Sequence, residues 1–169
     1  MPVKTNSELK AFFNTGDQPS ESNFADLIDT IQPTPAFIEG DADLSLTVAD
    51  HAFRICVIDG SDADRIYTLP TPASGTWFHF IYLGDLDAAD NFDFQLSNQS
   101  NVYFKGHVLS KDIGAANNDV SLAFDGTSSA IGLSLDHGAS ADLWVMGFSS
   151  TINYIWGNTM GAAIATVLS

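Results

Sequence analysis

The chain divides by the period at which its apolar residues recur. Over the first 31 positions hydrophobic side chains return every three or four residues, at Leu9, Phe12 and Phe13 and then at Phe24, Leu27, Ile28 and Ile31. That spacing predicts two short amphipathic helices. Thr5 and Glu8 stand at capping-box spacing ahead of the first, and Gly16 followed by Asp17 and Pro19 closes it. Ser20 with Glu21 opens the second. Helices this short are marginal alone in water, so the hairpin must lay its apolar stripe on something. Gln32-Pro33-Thr34-Pro35 then ends it, because each proline removes a donor and biases the residue before it toward extended geometry.

Beyond the prolines the pattern becomes that of strands. Runs rich in β-branched and aromatic residues, bounded by Gly, Asp, Asn and Ser, occupy 53–58, 65–69, 76–83, 91–96, 101–104, 119–124, 130–135, 141–148 and 152–156. Nine to ten short strands predict a mainly β fold, an antiparallel sandwich or barrel, preceded by a helical hairpin. The division is a helical attachment segment at 1–32 and a β-rich domain at 33–169. Phe92, Phe94 and Leu96 alternate with polar residues and belong on one buried face. In contrast, Trp77-Phe78-His79-Phe80-Ile81-Tyr82 is apolar on both faces, as are Leu143-Trp144-Val145-Met146 and Tyr154-Ile155-Trp156. Such strands need cover on both sides, from a second sheet or from another subunit.

Composition narrows the partners. The 169 residues carry 21 acidic against 6 basic side chains, a formal charge of −15, and 45% of them are hydrophobic. One real core is within reach, while a phosphate-binding surface is not, since the basic residues Lys4, Lys10, Arg54, Arg65, Lys105 and Lys111 do not cluster in sequence. Neither nucleic acid nor an anionic membrane is expected as a partner. Cys56 is the only cysteine and sits among Ile55, Val57 and Ile58, which reads as a thiol buried in a strand. No run approaches a membrane span, and the N-terminal residues lack the apolar stretch of a signal peptide, so folding in a cytoplasm is expected.

Reactive constellations fare poorly. Asp59-Gly60-Ser61-Asp62-Ala63-Asp64 lacks the closing Glu of an EF-hand loop and reads as an acidic turn, while Asp85, Asp87, Asp90 and Asp93 cross a loop with carboxylates suited to calcium. His51, His79, His107 and His137 lie apart without metal-ligand spacing. No nucleophile elbow and no phosphate-binding glycine motif occurs. No enzyme, no cofactor and no catalytic or metal residue is expected.

One resemblance covers both ends and the middle of the chain. Leu9-Lys10-Ala11-Phe12-Phe13, Gly16-Asp17, Pro19-Ser20 and Phe24-Ala25-Asp26-Leu27-Ile28-Asp29 resemble a segment near the start of many tailed-bacteriophage virion proteins, tail and fibre components included. Tyr67-Thr68-Leu69-Pro70 followed by Ser74-Gly75-Thr76-Trp77-Phe78-His79-Phe80 is similar to the Leu-Pro, Gly, aromatic-strand signature of phage capsid decoration proteins. Val102-Tyr103-Phe104-Lys105-Gly106-His107-Val108 and Leu143-Trp144-Val145-Met146-Gly147-Phe148 are similar to their central and late strands. The chain departs from their Thr-Pro-Phe-type close, ending Thr166-Val167-Leu168-Ser169.

The resemblance implies a decoration or cement protein, usually a homotrimer, seated on the virion capsid surface where major capsid protein subunits meet, and stabilising the shell. On this view Leu9, Phe12, Phe13, Phe24, Leu27 and Ile28 form an attachment or inter-subunit surface, and Trp77, Phe78, Trp144 and Trp156 serve as core or trimer anchors. Ordinary core is the competing role for all ten. The alternative function is a tail-fibre or baseplate component whose β domain binds a receptor or glycan.

Overall fold

The computed structural model describes residues 6–13, 18–31, 35–38, 42–58, 65–84, 94–113, 119–128, 130–135, 139–161 and 165–169. Two helices come first, α1 (Asn6–Ala11) and α2 (Glu21–Ile31). Ser20 caps α2 reciprocally: the Asn23 backbone N–H donates to Ser20 Oγ at 3.3 Å, and the Ser20 backbone N–H donates to Asn23 Oδ1 at 2.8 Å. Thr5 and Gly16, expected to delimit the first helix, lie outside the described residues.

Among the described residues twelve strands and one helical turn follow: β1 (Ala36–Ile38), β2 (Leu44–Ser45), α3 (Val48–His51), β3 (Ile55–Ile58), β4 (Ile66–Thr68), β5 (Trp77–Tyr82), β6 (Phe94–Ser97), β7 (Tyr103–Asp112), β8 (Val120–Asp125), β9 (Gly132–Leu135), β10 (Ser140–Ser149), β11 (Ile152–Gly161) and β12 (Thr166–Leu168). Each predicted strand has a counterpart. The additional ones, β1, β2 and β12, have only two or three residues each, too short for a period to show. The predicted strand at 101–104 runs on to Asp112, because Gly106, Ser110 and Asp112 break the apolar alternation while pairing continues along the whole of β11. Thr47 caps α3, its Oγ1 accepting from the Asp50 backbone N–H at 3.1 Å.

The strands form a seven-stranded sheet, in the order β1-β3-β5-β10-β11-β7-β8, and a five-stranded sheet, in the order β12-β9-β6-β4-β2. A single core joins them. Cys56, Ile58, Phe80, Tyr82, Phe104, Val108, Leu143, Val145 and Ile155 come from the larger sheet and Tyr67, Leu96, Leu133 and Leu135 from the smaller, so the fold is a sandwich rather than a barrel. Among the described residues this core draws none from α1 or α2.

The expected antiparallel pairing is corrected. The sheets are mixed: β1, β3 and β5 run parallel in one, β2, β4 and β6 run parallel in the other, and β7 pairs parallel to β11. From β1 to β6 each connection crosses from one sheet to the other, so the chain winds as a coil in which every turn adds one strand to each sheet. Short connections that look like hairpin turns in sequence are here crossings between layers. Hairpins proper join β7 to β8 and β10 to β11.

Two glycines of the quoted motifs are dictated by close backbone approach. A Cβ on Gly106, at φ +133, would meet the Ile155 carbonyl oxygen at 2.0 Å, and one on Gly147 would meet the Ala73 carbonyl oxygen at 2.2 Å. At the second place the loop before β5 is clasped to β10, the Gly147 N–H donating to the Thr76 carbonyl at 2.7 Å and the Gly75 N–H to the Gly147 carbonyl at 3.0 Å. Gly106→Ala and Gly147→Ala are therefore expected to cost about 1–3 kcal/mol or more by overpacking against backbone. Gly75→Ala, with φ +83 but open space around it, should lose only the left-handed backbone term of about 1–2 kcal/mol. Urea unfolding of the three variants checks the order.

Candidate functional site

Along β5 and β10 the side chains alternate between the two faces of the large sheet. Phe78, Phe80, Leu143 and Val145 point into the core, and Trp77, His79, Ile81, Trp144 and Met146 point away from it. Register then aligns the outward residues across the strands. Ile55, His79, Trp144, Trp156 and His107 lie in one row across β3, β5, β10, β11 and β7. Trp77, Met146, Tyr154 and Lys105 form the adjoining row. Their rings are in contact: His79 stacks on Trp144 at 4.0 Å and 13°, Trp144 lies 6.0 Å from Trp156 at 11°, and Trp77 leans on Trp144 at 5.4 Å. Tyr154 extends the array beside Trp156 at 5.8 Å.

This face has no counterpart on the smaller sheet. There the row across β4, β6, β9 and β12 reads Ile66, Gln95, Ser134 and Thr166, next to Thr68 and Ser97, as expected of a surface that faces water. The outer face of the large sheet is thus a half-buried aromatic surface on the side away from the shared core, and it is the candidate site.

At its β3 edge the face sinks into a hollow of about 380 Å³ lined by Pro35, Phe53, Arg54, Ile55, Trp77, His79 and Trp144. Phe53 reaches it through a backbone at φ +60, a left-handed conformation rare for so bulky a residue. Its N–H donates to the Trp77 carbonyl at 2.8 Å, and its ring meets the Trp77 indole edge-on at 5.9 Å. The polar element of the face is His79, whose Nε2 lies 2.7 Å from Asp142 Oδ1. Arg54, Lys105 and Lys111 supply positive charge around it, so half of the six basic residues gather at this face.

The ten residues singled out from sequence separate into three places. Phe78 is core, 3% exposed, while Trp77, Trp144 and Trp156 belong to the outer aromatic face. In the hairpin Leu9, Phe12 and Leu27 are half-buried, whereas Phe13, Phe24 and Ile28 are 49%, 49% and 59% exposed. Phe13 and Phe24 close the hairpin on each other, edge to face at 6.3 Å. Sequence reading missed Phe53, Arg54, His79, Asp142 and Tyr154 as members of one surface. Residue parity along β5, β10 and β11 was the available signal, but it joins them only once the pairing of those strands is known.

Among the described residues no group of three His, Cys, Asp or Glu is placed to hold a metal ion, and no helix is long and apolar enough to cross a membrane. The acidic segments at 59–64 and 85–90, Asp93 and His137 lie outside the described residues. Comparison with protein-family models, with curated proteins and with solved structures returns no match.

Two titratable groups mark the inner side of the β3 edge. Burial pushes the Cys56 thiol up to about 12, and its Sγ donates to the His51 carbonyl at 3.3 Å. Since the thiolate is the nucleophile, Cys56 should resist iodoacetamide at pH 8 in the native protein and react readily once the chain is unfolded in urea. Burial also holds the His51 imidazole below its ordinary value, and Nδ1 accepts from the Thr47 N–H at 3.0 Å. With the folded value below the unfolded one, the unfolded chain binds the extra proton first, so His51 erodes stability as pH falls below about 6.5. His51→Asn should flatten that part of the stability profile, read from urea midpoints between pH 7.5 and 5.

Proposed function

We propose that this chain is a non-enzymatic structural protein of a tailed-bacteriophage virion. In this reading it is a capsid decoration protein, made in the host bacterial cytoplasm, that binds the major capsid shell as a homotrimer and stabilises it. The observation that carries the reading is the asymmetry of the sandwich: among the described residues one outer face is mostly polar, and the other bears Trp77, Trp144, Trp156 and Tyr154, half-buried on the side away from the core. A protein that works through contact area needs such a surface, and threefold repetition multiplies each contact. The exposed stripe of Phe13, Phe24 and Ile28 gives it a second adhesive element. Sequence resemblance to phage virion proteins supplies the particle, since the same hairpin carries the most specific of the matched motifs.

A tail-fibre or baseplate role in glycan binding would draw on the same aromatic residues. Sugar rings, however, stack on open aromatic faces. Here His79, Trp144 and Trp156 are near-parallel rings stacked on one another, so their faces are engaged within the row. That geometry favours a packing surface.

The test is to mix the purified protein with intact particles of the phage that encodes it and locate it by electron microscopy. Density on the shell at sites where capsid subunits meet is expected, and density confined to the tail overturns the assignment. A truncation beginning at Pro35 keeps every residue of the core and should fold, yet bind particles at least about tenfold more weakly. Unchanged binding removes the helices from attachment.

A further inference from the structure

We propose that the aromatic face is the seat of the helical hairpin of a second copy of this chain, an arm-onto-face contact that repeats head to tail around the oligomer. The inference rests on the oligomeric, particle-associated reading above and assigns the helices to the contact between subunits.

Among the described residues the hairpin stripe is exposed, the aromatic row is half-buried beside its hollow, and the dimensions of the two match. The eleven residues of α2 span about 16 Å at 1.5 Å per residue. From β3 to β11 the aromatic row crosses three strand-to-strand steps, about 14 Å. Phe24 and Ile28, one turn apart on the helix, are the protruding side chains, and the hollow walled by Phe53, Trp77 and Trp144 has the size and apolar lining to take a phenyl ring. Laying an amphipathic helix into such a depression is a common recognition mode.

Charge selects this occupant. Residues 6–31 carry five carboxylates against the single Lys10. The sheet face carries Arg54, Lys105 and Lys111, three of the six basic residues of a strongly acidic chain. Of its carboxylates, Asp142 is engaged by His79 and Asp125 stands opposite Lys105 in register. Two identical faces pressed together would set lysine against lysine, whereas arm against face pairs unlike charges. Such a contact is heterologous and closes into a ring when the rotation permits, which fits a trimer.

The experiment uses the full chain and two variants, one with a damaged arm (Phe24→Asp with Ile28→Asp) and one with a damaged face (Lys105→Glu with Lys111→Glu). Circular dichroism confirms that each is folded. Sedimentation at micromolar concentration should show that the unaltered chain associates, less so at high salt, and that each variant alone associates at least about tenfold more weakly. Mixing the two variants should restore a complex containing one of each, because the arm of one and the face of the other are intact. A mixture that stays monomeric, or an arm variant that assembles like the unaltered chain, overturns the contact. So does an unaltered chain that is monomeric but whose tryptophan emission changes with Phe24→Asp, since the arm then lies on its own face. Particle binding by a monomeric chain would leave the decoration reading standing while this inference fails.

Discussion

A sandwich of two sheets buries one face of each and leaves two faces outward. In this protein the shared core takes one apolar face from each sheet, and a third apolar face points away from that core. That third face falls on the larger sheet because Trp77 to Tyr82 of β5 and Leu143 to Met146 of β10, strands paired at its centre, are aromatic or apolar on both sides. Phe78, Phe80, Leu143 and Val145 are buried against the smaller sheet, which leaves Trp77, His79, Trp144 and Met146 to form the other side. An aromatic surface of that kind is costly to hold against water. The functional reading and the arm-onto-face contact both propose a partner for this face from outside the domain.

The winding of the chain decides where that face can form. The coil from β1 to β6 builds both sheets at once, and the later strands complete the larger one with the β10-β11 hairpin and the β7-β8 hairpin. Because β10 lies between β5 and β11, residues far apart in sequence become neighbours in one row: His79, Trp144 and Trp156. The glycines at 106 and 147 let this packing close, the first where β7 passes β11 and the second where the loop before β5 is clasped to β10. The short motifs read as resembling those of decoration proteins therefore include residues with a structural task in this fold, the spacing of backbones, alongside the aromatic residues that form the surface.

Most of the element list was legible in the sequence, and the failures have identifiable causes. The second helix was found because Ser20, Glu21 and the Phe24-Leu27-Ile28 stripe all point to one geometry, and the structure adds the Asn23 return bond. The long extension of β7 was missed because Gly106, Ser110 and Asp112 occupy inward positions, and β1, β2 and β12 are too short for periodicity. Antiparallel pairing was the wrong inference because alternation reports only that a strand has an inner and an outer side. It carries no information on which sheet a strand joins or in which direction its neighbour runs.

What the sequence determined by itself is therefore local: a helical hairpin, a break at Pro33 and Pro35, a strand-rich remainder, and strands such as Trp77 to Tyr82 with two apolar sides. Those properties follow from side-chain period and backbone preference, which act over a few residues. Tertiary structure alone decided that Phe78 turns inward while Trp77, Trp144 and Trp156 turn outward onto one surface, that Arg54, Lys105 and Lys111 gather at that surface, and that the smaller sheet shows a polar face instead. These depend on the register and order of strands distant in sequence, and register is set by which long-range pairing buries the most apolar area in a single shared core.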